Sequence, residues 1–171
     1  MSVEAGHYYF AYGSNMNPAR LEARIGAPRR ALSGRLDGWR LCFDKRSSVA
    51  GISHANVQPE AGAIVEGVLY ELLNIGQLLE MDPYEGRPQE YERHLMTLDT
   101  AEGPRAGWVY VAQPDRVDAR CRSAREYLVH LLAGRDYLSE SYYRRLAGEP
   151  CIEALDRETL LALGVDLSTP R

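Results

Sequence analysis

The sequence predicts an α+β fold, a small and mostly antiparallel β-barrel with flanking helices. Strand signals dominate the front of the chain and helical periodicity gathers behind Pro114. Few helices stand where they could cross over between parallel strands, and 171 residues is close to the length of one ordinary domain. The expected division is a single domain over residues 1–148 and a helical C-terminal extension over 149–171.

Each element has a local cause. Tyr8-Tyr9-Phe10-Ala11-Tyr12 favours a strand and is halted by Gly13-Ser14-Asn15, a tight turn. A helix follows at once: Asn17 is a good N-cap, Pro18 suits the first helical position, Leu21 and Ile25 share a face, and Gly26 can close it. Residues 29–44 read as two strands about a Leu36-Asp37-Gly38 turn, and 47–51 as a polar loop. Residues 55–58 suggest a short strand. Residues 63–72 make a stronger one with apolar side chains on both faces, hence central in the sheet. Asn74 should cap a short helix with Ile75, Leu78, Leu79 and Met81 inward, ending before Pro83. A loop over 84–88 leads to a hairpin of 91–98 and 107–112. Ser123 then caps a helix carrying Tyr127, Leu128, Leu131 and Leu132, and residues 139–146 and 156–163 give two more helices, each followed by Gly.

Composition narrows the function. A chain 45% hydrophobic and 26% charged, with mean hydropathy -0.36, fits neither a membrane protein nor a disordered one. Its net charge of -4 leaves no basic excess for nucleic-acid phosphates. Cys42, Cys121 and Cys151 are far apart and form no CxxC pair, and the N-terminus carries an acid and no long apolar stretch, so a cytosolic protein without a disulfide framework is expected. Tyrosine is over-used: 11 Tyr stand against two Phe and two Trp, although every buried Tyr hydroxyl needs a partner. Polar aromatic tips should line something.

Standard sites are absent. There is no P-loop, no GxGxxG and no metal-ligand spacing among His7, His54, His94 and His130, so neither cofactor nor metal is expected. Ser14 lacks the second Gly of a nucleophile elbow. Cys121, between Arg120 and Arg122, offers a weak case for thiol-based hydrolysis against an ordinary half-buried cysteine. Two segments do better. The turn Tyr12-Gly13-Ser14-Asn15-Met16 leads from a strand into a helix, where successive N–H groups can cradle a carboxylate or an oxyanion, although a capped helix start is the commoner meaning of such a turn. Glu85, in Asp82-Pro83-Tyr84-Glu85-Gly86, is a carboxylate on a rigid loop; a lone Glu before Gly is more often a solvated turn residue.

Together these segments resemble the γ-glutamylcyclotransferase (AIG2-like) family, through Tyr9-Phe10-Ala11-Tyr12-Gly13-Ser14-Asn15-Met16, then Gly67-Val68-Leu69-Tyr70, then Met81 to Gly86 with Tyr91 and Arg93 beyond. The resemblance implies a small barrel with flanking helices, a γ-glutamyl group held by the residues Tyr9, Phe10, Ala11, Tyr12, Gly13, Ser14 and Asn15, and proton transfer by Glu85. By position it adds Tyr91 and Tyr127 as substrate contacts. The glutathione-specific branch of such enzymes carries Leu or Ile after Gly-Ser; Asn15 stands there in this chain.

The chemistry accounts for so sparse a set of residues. A γ-glutamyl amide carries its own nucleophile, since its α-amino group can close onto the γ-carbonyl to form 5-oxoproline and expel an amine. Holding the folded-back conformer uses proximity, and one carboxyl group can act as base and then as acid. The expected protein is therefore an acyltransferase of the cyclising, lactam-forming kind, a monomer or homodimer, acting on a γ-glutamyl-amino acid or γ-glutamyl-amine, with no nucleic-acid or membrane partner. The alternative is a non-catalytic binder of the same small molecules.

Overall fold

A computed structural model describes residues 6–165. One five-stranded sheet forms from β1 (His7–Ala11), β2 (Arg30–Arg46), β3 (Ser53–Leu72), β4 (Tyr91–Leu98) and β5 (Arg105–Ala112), in the order β2-β3-β1-β5-β4. Every neighbouring pair is antiparallel except β1 and β5, which are parallel at Tyr9 and Trp108. Around the sheet lie α1 (Pro18–Ile25), α2 (Ile75–Tyr84), α3 (Arg125–Leu132), α4 (Glu140–Ala147) and α5 (Arg157–Leu163), with a parallel pair of two-residue strands, β6 (Ser123–Ala124) and β7 (Cys151–Ile152). Phe10, Leu21, Leu69, Leu78, Met81, Leu98, Leu128 and Leu131 fill the core.

The sheet is not a closed barrel, which corrects the expected architecture. Closure needs a continuous ladder between the edge strands. Here β2 and β4 meet only through the reciprocal bonds of Arg35 and Asp99 (N···O 3.0 and 2.9 Å), because β4 ends at Leu98 where the chain first reaches β2. The result is a curled, open sheet.

Several local expectations are also revised. Residues 29–44 do not turn at Gly38; they lie in the single strand β2, and 55–58 and 63–72 merge into β3. Gly38 (φ 81°) and Gly62 (φ 83°) sit in one irregularity of the β2–β3 ladder, between the pairs Asp37↔Ile64 and Trp39↔Pro59, so the glycine serves a bulge and the reversal falls at the polar loop. In α2, Leu78 and Met81 are buried but Ile75 and Leu79 face outward, and the helix continues through Pro83 to Tyr84. Ser123 is not the cap of α3, because its hydroxyl donates to the Ser53 carbonyl (2.7 Å) and Ala124 takes the N-cap position.

The segment after Gly148 packs onto the rest. β7 pairs with β6, and Leu163 and Val165 join the core. Residues 1–5, and 166–171 of the expected extension, lie outside the described residues.

Candidate active site

Asn17 accepts a hydrogen bond from Ala19 N–H and so starts α1, as its N-cap role requires. That fixes the preceding turn. Gly13 to Met16 wind into a short 3₁₀ turn at the end of β1, closed by Met16 N–H on the Gly13 carbonyl (3.0 Å). A Cβ on Gly13 would meet the Tyr127 hydroxyl at 2.9 Å, so only glycine lets that ring approach. Opposite, the C-terminus of α2 sets Glu85: its N–H is shared between the Met81 and Asp82 carbonyls (3.2 Å each).

The two segments share one cavity of about 320 Å³. Its walls include Tyr9, Tyr12, Gly13, Ser14, Asn15, Glu85, Tyr91 and Tyr127. Phe10 and Ala11 do not line it. Phe10 points to the face of β1 opposite Tyr9, where its ring packs against Gly34 and Gly67, and Ala11 is buried and paired with Val68. Cys121 lies outside it as well, beside a neighbouring depression formed by residues 46–52.

Asn15 organises the centre. Buried at 3% exposure, it donates Nδ2 to the Tyr9 hydroxyl (3.0 Å) and towards Glu85 Oε1 (3.4 Å), while its Oδ1 accepts from Arg24 Nη1 (3.2 Å) and its carbonyl from the Tyr70 hydroxyl (2.7 Å). Burial raises the Glu85 carboxyl above its ordinary 4.5, opposed by the charges of Arg24, Arg20 and Lys45. A carboxyl raised in this way gains and loses its proton closer to neutrality.

Counting hydroxyl protons separates the tyrosines. Tyr12 donates to the Tyr110 carbonyl, Tyr91 to the Ala55 carbonyl (2.7 Å) and Tyr110 to Asp82 (2.6 Å). These protons are committed. Tyr127 instead accepts, from Ala55 N–H (2.9 Å), and among the described residues nothing takes its proton. Tyr9 likewise accepts from Asn15. Of these five buried tyrosines, Tyr9 and Tyr127 are thus the two that can donate into the cavity.

Sequence reasoning did not find the basic side of this site. Arg20, Arg24, Lys45 and His54 also line the cavity, with Leu163 from the C-terminal segment. Arg20 and Arg24 are four apart on α1, a spacing that could have shown them on the face of Ser14 and Asn15. His54 sits against Tyr127 (ring centroids 4.9 Å) and is pushed down to about 4 by burial and then by Lys45 and the arginines, so it is neutral. Among the described residues, no cluster of three or more His, Cys, Asp or Glu could hold a metal ion, and no helix is long and apolar enough to cross a membrane.

An open α+β sheet with a tyrosine-lined cavity and one carboxylate facing a Tyr-Gly-Ser-Asn turn defines the class. The sequence model of the family described as gamma-glutamyl cyclotransferase, AIG2-like, matches residues 9–130, and the chain belongs to that family. Among solved structures it is similar to the uncharacterized human protein loc79017 (22% identity, TM-score 0.76, covering 90% of this chain and 94% of that one). It is also similar to a gamma-glutamyl cyclotransferase (20%, 0.74, covering 93% and 98%) and to YkqA of Bacillus subtilis (21%, 0.71, covering 86% and 56%). At these identities the likeness is one of fold. A comparison with curated protein sequences gives no match.

Proposed function

We propose that this protein cyclises the γ-glutamyl group of a small γ-glutamyl amide to 5-oxoproline and releases the free amine, with Glu85 as general base and acid. The observation that carries the reading is the placement of a raised carboxyl group in one cavity with Asn15 of the turn after β1 and Tyr127 of α3. Such a reaction needs no external acceptor. The Glu85 carboxylate takes a proton from the substrate α-ammonium, and the freed amine adds to the γ-carbonyl carbon. Protonated Glu85 then gives that proton to the amide nitrogen, whose bond to carbon breaks as the carbonyl re-forms. The new ring nitrogen returns its extra proton to Glu85, ready for transfer to solvent or to the departing amine.

Tyr127 is suited to the oxygen that becomes negative between these steps, since its own oxygen is held by the Ala55 N–H and its proton is unspent among the described residues. Tyr12 and Tyr91 shape the walls instead.

Purified protein should release 5-oxoproline from γ-glutamyl-alanine. Glu85→Gln should abolish release while the unfolding temperature holds or rises, because a group disfavoured as a carboxylate in the folded state is replaced by a neutral isostere. Normal turnover by that variant would refute the assignment. A thermal shift with γ-glutamyl compounds and no product would favour a non-catalytic binder.

A further inference from the structure

Three cations and two carboxylates face the cavity: Arg20, Arg24 and Lys45 against Glu85 and Glu90. Lys45 and Glu90 cancel, with Nζ and Oε2 2.7 Å apart and Lys45 only 6% exposed. Glu85 therefore remains against two guanidinium groups, neither of which forms an ion pair among the described residues. An arginine drawn into a partly dry site without an anion is costly, and the cost disappears if the substrate brings the anion.

The two arginines are not equivalent. Arg24 is engaged at the Glu85 end: Nη1 bonds Asn15 Oδ1, the group stacks 4.9 Å from the centre of the Tyr84 ring, and its charge is the largest one favouring the Glu85 carboxylate. The substrate α-amino group and the carboxylate beside it must lie at that end for Glu85 to take the proton. Arg20, one helical turn earlier, donates only Nε, to the Ser14 hydroxyl (3.2 Å), and both its terminal nitrogens are unspent among the described residues. Burial and the neighbouring Arg24 hold it down from 12.5 to about 10, a measure of how poorly its charge is matched by the protein alone.

We infer that Arg20 binds a second carboxylate, one carried by the leaving amine, so that the protein prefers γ-glutamyl-amino acids to γ-glutamyl-amines that lack an acid group. The inference rests on the cyclising reaction proposed above and adds its leaving group. Charge balance favours it. A γ-glutamyl-amino acid brings two carboxylates and one ammonium, which neutralise Arg20, Arg24 and Glu85 together, whereas an amine without a carboxylate leaves one half-buried guanidinium unmatched.

The test compares γ-glutamyl-alanine with γ-glutamyl-alanine amide, equal in shape and different only in that carboxylate, by kcat/KM for 5-oxoproline release. The wild-type protein should favour the acid by about 10–100-fold, the range for a hydrogen bond to a charged group. Arg20→Gln should bring the ratio close to one. A wild-type ratio near one, or a ratio that survives Arg20→Gln, overturns the inference; in the second case the two substrates would fall together, as they would if Arg20 held the glutamyl end. Should Arg20→Gln not fold, Arg20→Lys decides, since an ammonium loses the paired geometry of the guanidinium: a reduced ratio supports the inference and an unchanged one refutes it. Release from neither substrate by the wild-type protein would refute the cyclising reaction itself.

Discussion

Tyr91 and Tyr127 cross the same short segment of β3 and do opposite work there. The Tyr91 hydroxyl spends its proton on the Ala55 carbonyl, while the Tyr127 hydroxyl receives the Ala55 N–H and keeps its own. Their loss should therefore differ in kind. Tyr127→Phe removes a donor aimed into the cavity and should lower kcat by about 10²-fold or more, the range for one oxyanion donor. Tyr91→Phe leaves a buried carbonyl unsatisfied and should lower stability by about 1–3 kcal/mol with a smaller effect on kcat. Steady-state kinetics and denaturant unfolding on both variants check the contrast, and equal kinetic losses would contradict it. The family resemblance names both tyrosines as substrate contacts, and both line the cavity. It cannot assign their protons, because the partner of each hydroxyl is a backbone group more than 30 residues away (|i−j| 36 and 72).

At the level of elements, glycine is where sequence and structure part most instructively. Gly38 has positive φ with open space around it, so its replacement by Ala should cost about 1–2 kcal/mol from backbone conformation alone. Gly67 has no such φ, yet a Cβ there would collide with the Ala11 carbonyl and stand 2.9 Å from the Phe10 ring, just past the last pair of the β1–β3 ladder, Ala11↔Val68. Gly67→Ala should destabilise by about 1–3 kcal/mol or more through overpacking, and should also disturb turnover, because β1 carries the turn that holds Asn15. Unfolding midpoints and 5-oxoproline release measured on the two variants test this; a larger turnover defect in Gly38→Ala would contradict it. The same pair explains what was legible. Strand character at β1, β4 and β5, the cap at Asn17 and the helix starts near Ser139 and Asp156 follow from local propensity and appear as expected, whereas Asn74 stands at the N-cap of α2 without a side-chain capping bond. Whether a glycine bends, bulges or admits a neighbour depends on the strand opposite, and local sequence carries no record of that.

For the whole molecule, pH should act through two neutral imidazoles. Burial first, and the nearby cations after it, push His54 and His130 down from 6.5 to about 4. Between those values the unfolded chain binds more protons than the folded one, so stability is lost as pH falls from about 6.5 towards 4 and is fully present above that window. Glu85, raised in the folded state, works in the opposite sense and offsets part of the loss as it protonates. Imidazole titration followed by NMR, alongside the unfolding temperature across the same pH range, checks this; an ordinary titration near 6.5 for both rings would contradict it. That His54 and the arginines of α1 meet Glu85 at all is a property of the assembled chain. By itself the sequence determined the α+β class, the helix capped by Asn17, the Tyr-Gly-Ser-Asn turn and the carboxylate opposite it, because each is written in adjacent residues or in a motif of fixed order. Only the tertiary structure decided that the sheet stays open, that Phe10 and Ala11 are buried away from the cavity, and that basic groups without an ion pair among the described residues line it, because the length of an edge strand, the packing of a strand against its neighbours and the company of a buried charge are fixed by segments distant in the chain.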